Sequence, residues 1–406
     1  MRTQVVWILP LWLLVAACGD DDGPAAGGDS GARDAGDLGA PDASAPDGSS
    51  IDGGNRADAA GDDGAALDAT PPPPEDAGPP PARDRLVYVT VGREDRIAVV
   101  VLGADGSLTA RDDLGLSLPS NPGPMTYARA TRRLYVGLGG SLATLALEAD
   151  GRPTLLGETG GLDGQPVYVA TARDDALVVT AYFGGDELRV HDVSGMPPHA
   201  ETDREDTSDE PHAALVGPGG RVYVPHRNGN TTWWLDLSSA GVITMAGSLA
   251  GEDGVGPRHI AFTPDGTLAF VVNEYADSVS AHRVGADGSL TRFQTITTLP
   301  AGFDGDSNTC ADVHTTPDGR FVYASNRGHD SIAMFAIGAD GTLASLGTVP
   351  TEARPREIDV SPDGRFVVAC GQDSGFLQSY RVEPDGRLAS VARLRVGDEL
   401  LWAIID

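Results

Sequence analysis

Lysine is absent: all 29 basic residues of the 406-residue chain are arginine. No Schiff base and no amine nucleophile is available, so any cationic chemistry rests on guanidinium groups, which stay protonated at physiological pH. Cysteine is scarce too, with Cys18, Cys310 and Cys370 the only three, which excludes a disulfide scaffold. Cys310 and Cys370 can pair in an oxidising compartment, but two cysteines in a large core-forming domain are more often free and buried. The eight histidines show no paired ligand spacing, so no metal and no cofactor is expected. A serine nucleophile is missing as well. Gly28-Asp29-Ser30-Gly31 lies in a coreless segment, and Asp373-Ser374-Gly375 lacks the strand-to-helix elbow that exposes a hydrolase serine. A net charge of −30 argues against nucleic acid, whose phosphates need a concentrated basic footprint.

Large apolar runs are confined to one place before the globular part. Arg2 precedes VVWILPLWLLVAA, too short for a comfortable membrane span, and residues 1–17 read as a secretion signal. Its end, Val15-Ala16-Ala17-Cys18, resembles the lipobox of bacterial lipoproteins, which implies lipidation of Cys18 after cleavage. Gly19 in place of aspartate resembles lipoproteins sent to the outer membrane. The expectation is therefore a chain lipid-anchored in the bacterial cell envelope, at the outer membrane, touching lipid through the anchor alone. Residues 18–83 are nearly all Gly, Ala, Asp, Pro and Ser, with fifteen acidic residues against three arginines from Gly19 to Arg83. Such a segment cannot offset its ordering entropy by burial and reads as a disordered tether, stiffened toward polyproline II by PPPPEDAGPPPARD. The globular domain is expected over residues 84–406.

That domain repeats one unit. A short apolar strand, a Pro-Asp-Gly turn, a second apolar strand ending in polar residues, a third strand, an Ala-Asp-Gly turn and a fourth strand recur at intervals of about 40 to 50 residues. The second strand marks seven copies: RLVYVTVG from Arg85, RRLYVGLG from Arg132, ALVVTAYF from Ala176, RVYVPHRN from Arg221, TLAFVVNE from Thr267, RFVYASNR from Arg320 and RFVVACGQ from Arg365. A four-stranded unit cannot bury both faces alone. Seven of them point to an all-β, seven-bladed β-propeller of antiparallel blades around a central channel. The first copy lacks its first strand and the last is followed by ELLWAIID, so this C-terminal segment is expected to supply the missing innermost strand and close the ring. Adjacent Trp233 and Trp234 should face opposite sides of their strand, with at least one in the core between blades.

Aligning the copies on their turns shows what each blade places at one end of the channel. The position opening the inner strand reads Val167, His212, Arg258, Ala311 and Arg356 in blades three to seven. The position ending the second strand reads Gly92, Gly140, Phe183, Asn228, Glu274, Arg327 and Gln372 in blades one to seven. Antiparallel neighbours bring the two positions within diagonal reach. Blades four to seven thus offer an imidazole, a carboxylate and up to three guanidinium groups. Arginine forks suit carboxylate or phosphate, a further arginine can stabilise an oxyanion, and Glu274 or His212 can take a proton from water. The same groups can also simply pair with one another in a wet channel, as Glu274 with Arg258 or Arg327.

GPRHIAFTPDG, VNE, ADVHTTPDGR, SNRGHDSIAMF and PREIDVSPDGRF resemble the seven-bladed lactonase family, which includes cycloisomerase-type 6-phosphogluconolactonases and carboxy-muconate cyclases. The resemblance runs from about Arg85 to Asp406 and is specific from His212 onward. It implies a metal-independent catalytic set of His212, Arg258, Glu274 and Arg327; His314 and Gln372 also match positions shared within the family, and these two, with Arg356 from the blade comparison, are expected to bind substrate. Two stretches depart from the family: VPHRNGN places His226 and Asn230 where relatives carry acidic residues, and Ala181 in TAYFGG replaces an asparagine. The expected activity is hydrolysis of an acidic sugar lactone or related cyclic ester, a small anionic substrate, by a monomer. The alternative is a surface-anchored propeller that binds a ligand or protein at the same channel mouth without chemistry.

Overall fold

The computed structural model describes residues 83–303 and 308–406. The signal segment, Cys18 and all of the tether except Arg83 lie outside the described residues. No helix among the described residues is long and apolar enough to cross a membrane. What they form is seven antiparallel sheets in a ring, the propeller that the repeats predict.

Each turn type has a local cause. In the Pro-Asp-Gly hairpins the aspartate is the hub: Asp265, Asp318 and Asp363 accept from the hydroxyls of Thr263, Thr316 and Ser361 and from the backbone N–H groups of Thr267, Arg320 and Arg365. The following glycine takes the left-handed backbone that the tight turn demands, with φ of 69° at Gly319. Between blades the packing is apolar. Phe270, Val272 and Val279 of blade five meet Val313, Val322 and Phe335 of blade six, and blades one and seven share Val87, Val89, Phe366 and Val368 in the same way. A repeated hydrogen bond locks neighbours together: Tyr88, Tyr223 and Tyr323 donate to the carbonyls of Gly151, Gly288 and Gly386 in the next blade's outer turn, at 2.9, 2.9 and 3.0 Å.

Closure is as expected. Leu400–Ile405 pairs antiparallel with Arg85–Val91, Ile405 opposite Val87 and Trp402 opposite Thr90, as the innermost strand of blade one. The outer strand of that blade is broken by a 3₁₀ turn at Asp112–Leu114 into Leu108–Ala110 and Leu116–Ser117. The tryptophan pair divides as its alternation requires: Trp234 packs toward blade five with Ile260 and Val271, and Trp233 toward blade three with Val179 and Val190. Cys310 and Cys370 are free and buried.

Candidate active site

The site grows from a backbone irregularity. In blades five, six and seven the inner strand slips register near its start, between Pro257 and Ile260, Cys310 and Val313, and Pro355 and Glu357. A bulge re-aims side chains. Each of these blades consequently brings two consecutive residues to one place: Arg258-His259, Ala311-Asp312 and Arg356-Glu357, with Ala311 contributing its carbonyl and Arg356 half-buried.

Glu274 is the centre of the upper row. Its side chain is wholly buried, with Arg327 Nη2 at 2.8 Å and Arg227 Nη1 at 3.0 Å from Oε1, and Arg258 Nε 3.1 Å from Oε2. The first two are charge-assisted hydrogen bonds. The third is an ion contact only, because Oε2 and Arg258 Nε are both without a hydrogen-bond partner. Burial by itself would raise the Glu274 carboxyl, but Arg327, Arg258 and Arg227 outweigh it and hold the group below its ordinary value. The arginines are themselves anchored: Arg258 donates to the Ala311 carbonyl, which the small Ala311 leaves accessible, and Arg327 to the Cys310 carbonyl at 3.1 Å.

His212 lies beside this group, edge-on to Phe183 and His259 with ring centroids 5.8 and 5.4 Å apart. Burial, then Arg258, His259 and Arg227, push its imidazole well below the usual value, so it is neutral. Its Nδ1 is buried and accepts no hydrogen bond. Arg356 is near enough to lower both His212 and Arg258 electrostatically. Gln372 ends the second strand of blade seven, its N–H on the Arg354 carbonyl at 3.0 Å and its Oε1 buried without a donor.

Two placements differ from the sequence reading. Arg227, not Asn228, is the blade-four counterpart of Glu274: Arg227 N–H bonds the Glu210 carbonyl as Glu274 N–H bonds that of Gly256, each just before Pro-His212 or Pro-Arg258. Alignment on the turn fails there because the blade-four hairpin is one residue shorter. Val216 pairs with Val222, where Phe262 pairs with Ala269. Asn228 is exposed and accepts from the Tyr275 hydroxyl at 3.2 Å. His314 also departs from expectation. It sits deeper in the channel, where its ion pairs are with Asp312, 3.1 Å from Nε2, and Asp359, 3.8 Å from Nδ1.

The lower row, His259, Asp312 and Glu357, was not foreseen. Its signal was the polar residue after position one in otherwise apolar inner strands: RHI, ADV and REI. Asp312 binds His259 Nδ1 at 2.8 Å and accepts the N–H of Val313 and Ile358. These three residues are close enough to hold a metal ion, yet their hydrogen bonds do not fit one. Arg258, donor only, lies 3.3 Å from His259 Nε2, which assigns the ring proton to Nδ1, facing Asp312. A metal at Nδ1 would remove that proton and turn Nε2–H against a guanidinium.

Burial would lower His314, but Asp312 and Asp359 raise it to about 9. Its ordinary value is 6.5, so the folded state holds this proton more tightly, and the stabilisation is complete below pH 6.5 and lost as pH rises through about 9. Thermal melts should accordingly fall between these pH values, and His314→Gln should flatten the slope. An unchanged slope in the variant would assign it to other groups.

Fold and site together define a seven-bladed propeller with buried arginines, a carboxylate and an imidazole gathered at one end of the channel. The family model described as lactonase, 7-bladed beta-propeller, matches residues 87–402, and the chain belongs to that family. A 6-phosphogluconolactonase of Pectobacterium carotovorum subsp. carotovorum is 31% identical over 284 residues, 68% of this chain and 84% of the relative. One from an Enterobacter species is 29% identical over 284 residues, covering 68% and 85%. Among solved structures, a Lactobacillus plantarum protein superposes with a TM-score of 0.74 at 24% identity, covering 80% of this chain and 99% of its own. The Pseudomonas aeruginosa periplasmic gluconolactonase gives 0.72 at 23%, covering 79% and 99%. At such identities these two structures speak to the fold.

Proposed function

We propose that this protein is a lactonase, opening an acidic sugar lactone or a related cyclic ester with water and without a metal. One observation carries the reading: His212, Arg258, Glu274 and Arg327, from three blades, meet in one buried cluster in a chain of the lactonase family. The chemistry assigned to them is acyl transfer to water. Water attacks the carbonyl carbon, its proton passes to a basic atom, negative charge gathers on the carbonyl oxygen beside a guanidinium, and the ring C–O bond breaks as the alkoxide is protonated. Arg258 and Arg327 are the groups for the oxyanion and the substrate's own charge. Glu274 Oε2 and His212 Nδ1 are the basic atoms, both buried without a hydrogen bond. Arg356 and Gln372 complete the binding side. The family membership and the 6-phosphogluconolactonase relatives support this assignment.

The test is lactone hydrolysis followed with a pH indicator, on 6-phosphogluconolactone and a panel of unphosphorylated lactones, beside a Glu274→Gln control. Turnover that vanishes in the control supports the enzyme. A folded protein that opens none of the panel is a binding propeller instead. Both candidate bases are held below their ordinary values, 4.5 for Glu274 and 6.5 for His212. The acid limb of kcat/KM should therefore lie below pH 6.5, and a limb at or above 6.5 would exclude both.

The location is proposed with the function: secretion through residues 1–17 and lipid attachment at Cys18 would place the propeller in the cell envelope. Cys18→Ala should then move it from the membrane fraction to the soluble one, and unchanged fractionation would refute the anchor.

A further inference from the structure

Arg227 bridges Glu274 and a second carboxylate. Its Nη1 is 3.0 Å from Glu274 Oε1 and its Nε 3.0 Å from Glu210 Oε2. The two partners differ in setting. The Glu274 side chain is fully buried, whereas that of Glu210 is 19% exposed, on the channel-mouth loop that enters the inner strand of blade four. The guanidinium lies over two aromatic rings, its carbon 4.4 Å from the Phe183 ring centroid and 5.4 Å from that of Tyr275. Tyr275 is pinned in turn by its hydroxyl on Asn228, and Phe183 lies against His212. Arg227 is thus held in the cluster by one ring that also contacts the His212 imidazole and by another that is tied to Asn228.

The charges around it are uneven. Glu274 is a single negative charge with three guanidinium groups within 3.1 Å. One carboxylate has lone pairs enough for several donors but charge enough for one. Arg227 is the guanidinium whose remaining balance comes from a partly solvated group rather than from the buried centre. A partly exposed carboxylate is a replaceable counter-ion, since it regains hydration when it leaves.

We propose that Arg227 is a specificity-determining residue of this site: it binds an anionic substituent of the substrate, carboxylate or phosphate, which takes the place of Glu210 while Glu274 keeps hold of the other edge of the guanidinium. This rests on the lactonase reading for the word substrate, but the anion-binding part does not. A planar fork held at Nη1 by Glu274 can offer Nε, now on the partly exposed Glu210, and the adjacent Nη2 as two parallel N–H donors to an oxyanion that takes Glu210's place. Glu210 then acts as a gate on affinity: neutralising it should favour the anion, and removing Arg227 should cost it.

The full-length protein is assayed as wild type, Arg227→Leu, Arg227→Lys and Glu210→Gln, on 6-phosphogluconolactone, a carboxylated lactone and uncharged glucono-δ-lactone. For Arg227→Leu the ratio of kcat/KM between the preferred charged lactone and the uncharged one should fall about ten-fold or more, mainly through KM, the equivalent of about 1.4 kcal/mol. Arg227→Lys should recover part of it, and Glu210→Gln should lower KM for the charged lactone. Which charged lactone shows the effect names the anion. A uniform loss on all three lactones, with the ratio intact, would overturn the proposal and leave Arg227 a counter-ion of Glu274. Melting curves identify a variant that fails to fold, in which case Arg227→Lys and Glu210→Gln decide. Calorimetric titration with inorganic phosphate and with 6-phosphogluconate provides the independent arm. Binding that weakens in Arg227→Leu and tightens in Glu210→Gln, in a protein that opens no lactone, would uphold the anion site and reject the lactonase reading. No binding of either probe, and no change in the ratio, would reject the anion site alone.

Discussion

Replacing Glu274 should damage activity and stability together. Glu274→Gln is expected to lower kcat/KM by about 10²- to 10⁴-fold, the range for loss of a positioned acid or base. Glu274→Ala should in addition destabilise the fold by about 3 to 5 kcal/mol, since breaking a buried ion pair leaves uncompensated charge, here on Arg227, Arg258 and Arg327. Urea unfolding and steady-state kinetics read the two effects separately. The cause can be isolated: adding Arg227→Leu to Glu274→Ala should recover stability, because one unpaired guanidinium is removed with the carboxylate. A Glu274→Gln enzyme within ten-fold of wild type would remove this residue from the mechanism, and a Glu274→Ala protein of unchanged stability would show that the arginines find other partners.

Loss of the C-terminal strand should be more severe. Leu400, Trp402 and Ile405 are buried at 0%, 8% and 0% relative exposure. At roughly 1.5–3 kcal/mol for each large apolar side chain, their contribution approaches the whole net stability of about 5–15 kcal/mol typical of a domain. The deletion also bares the edge of Arg85–Val91, whose unpaired backbone is a template for aggregation. Truncation after Glu399 should therefore yield little soluble monomer by size-exclusion chromatography. A peptide spanning residues 398–406, supplied during refolding, should rescue some of it. A soluble, fully folded truncated protein would mean that the ring tolerates an open blade. Trp402 touches Tyr168 and His259, with centroids 5.6 and 5.8 Å away, so the closing strand also supports the site.

The architecture was legible because it is periodic. Seven copies of one strand pattern, Pro-Asp-Gly and Ala-Asp-Gly turns, and a surplus strand at the end leave few alternatives to a closed ring. Within the site, His212, Arg258, Glu274 and Arg327 were legible for the same reason, as odd residues in register against a repeated background. What escaped was produced by small breaks in that repeat. A hairpin shortened by one residue moved Arg227 into the place assigned to Asn228. Bulges after position one brought His259, Asp312 and Glu357 into a second row that a single-position template does not hold. His314 was assigned to substrate by family resemblance, whereas its ion pairs with Asp312 and Asp359 follow from depth in the channel, which a linear pattern does not encode.

The seam in blade one also sets an order in time. Arg85 donates to the carbonyl of Asp406, 321 positions away, while the other blades pair strands close in sequence. Contacts of such long separation form late, after their loop-closure entropy has been met. During synthesis the earliest described strand must wait for the last one before its inner edge is covered. Trp402 arrives with that strand and packs against His259, so this residue of the lower row gains its last aromatic wall only when the ring closes. Closing the ring and walling in His259 are therefore one event, the docking of Leu400–Ile405 on Arg85–Val91.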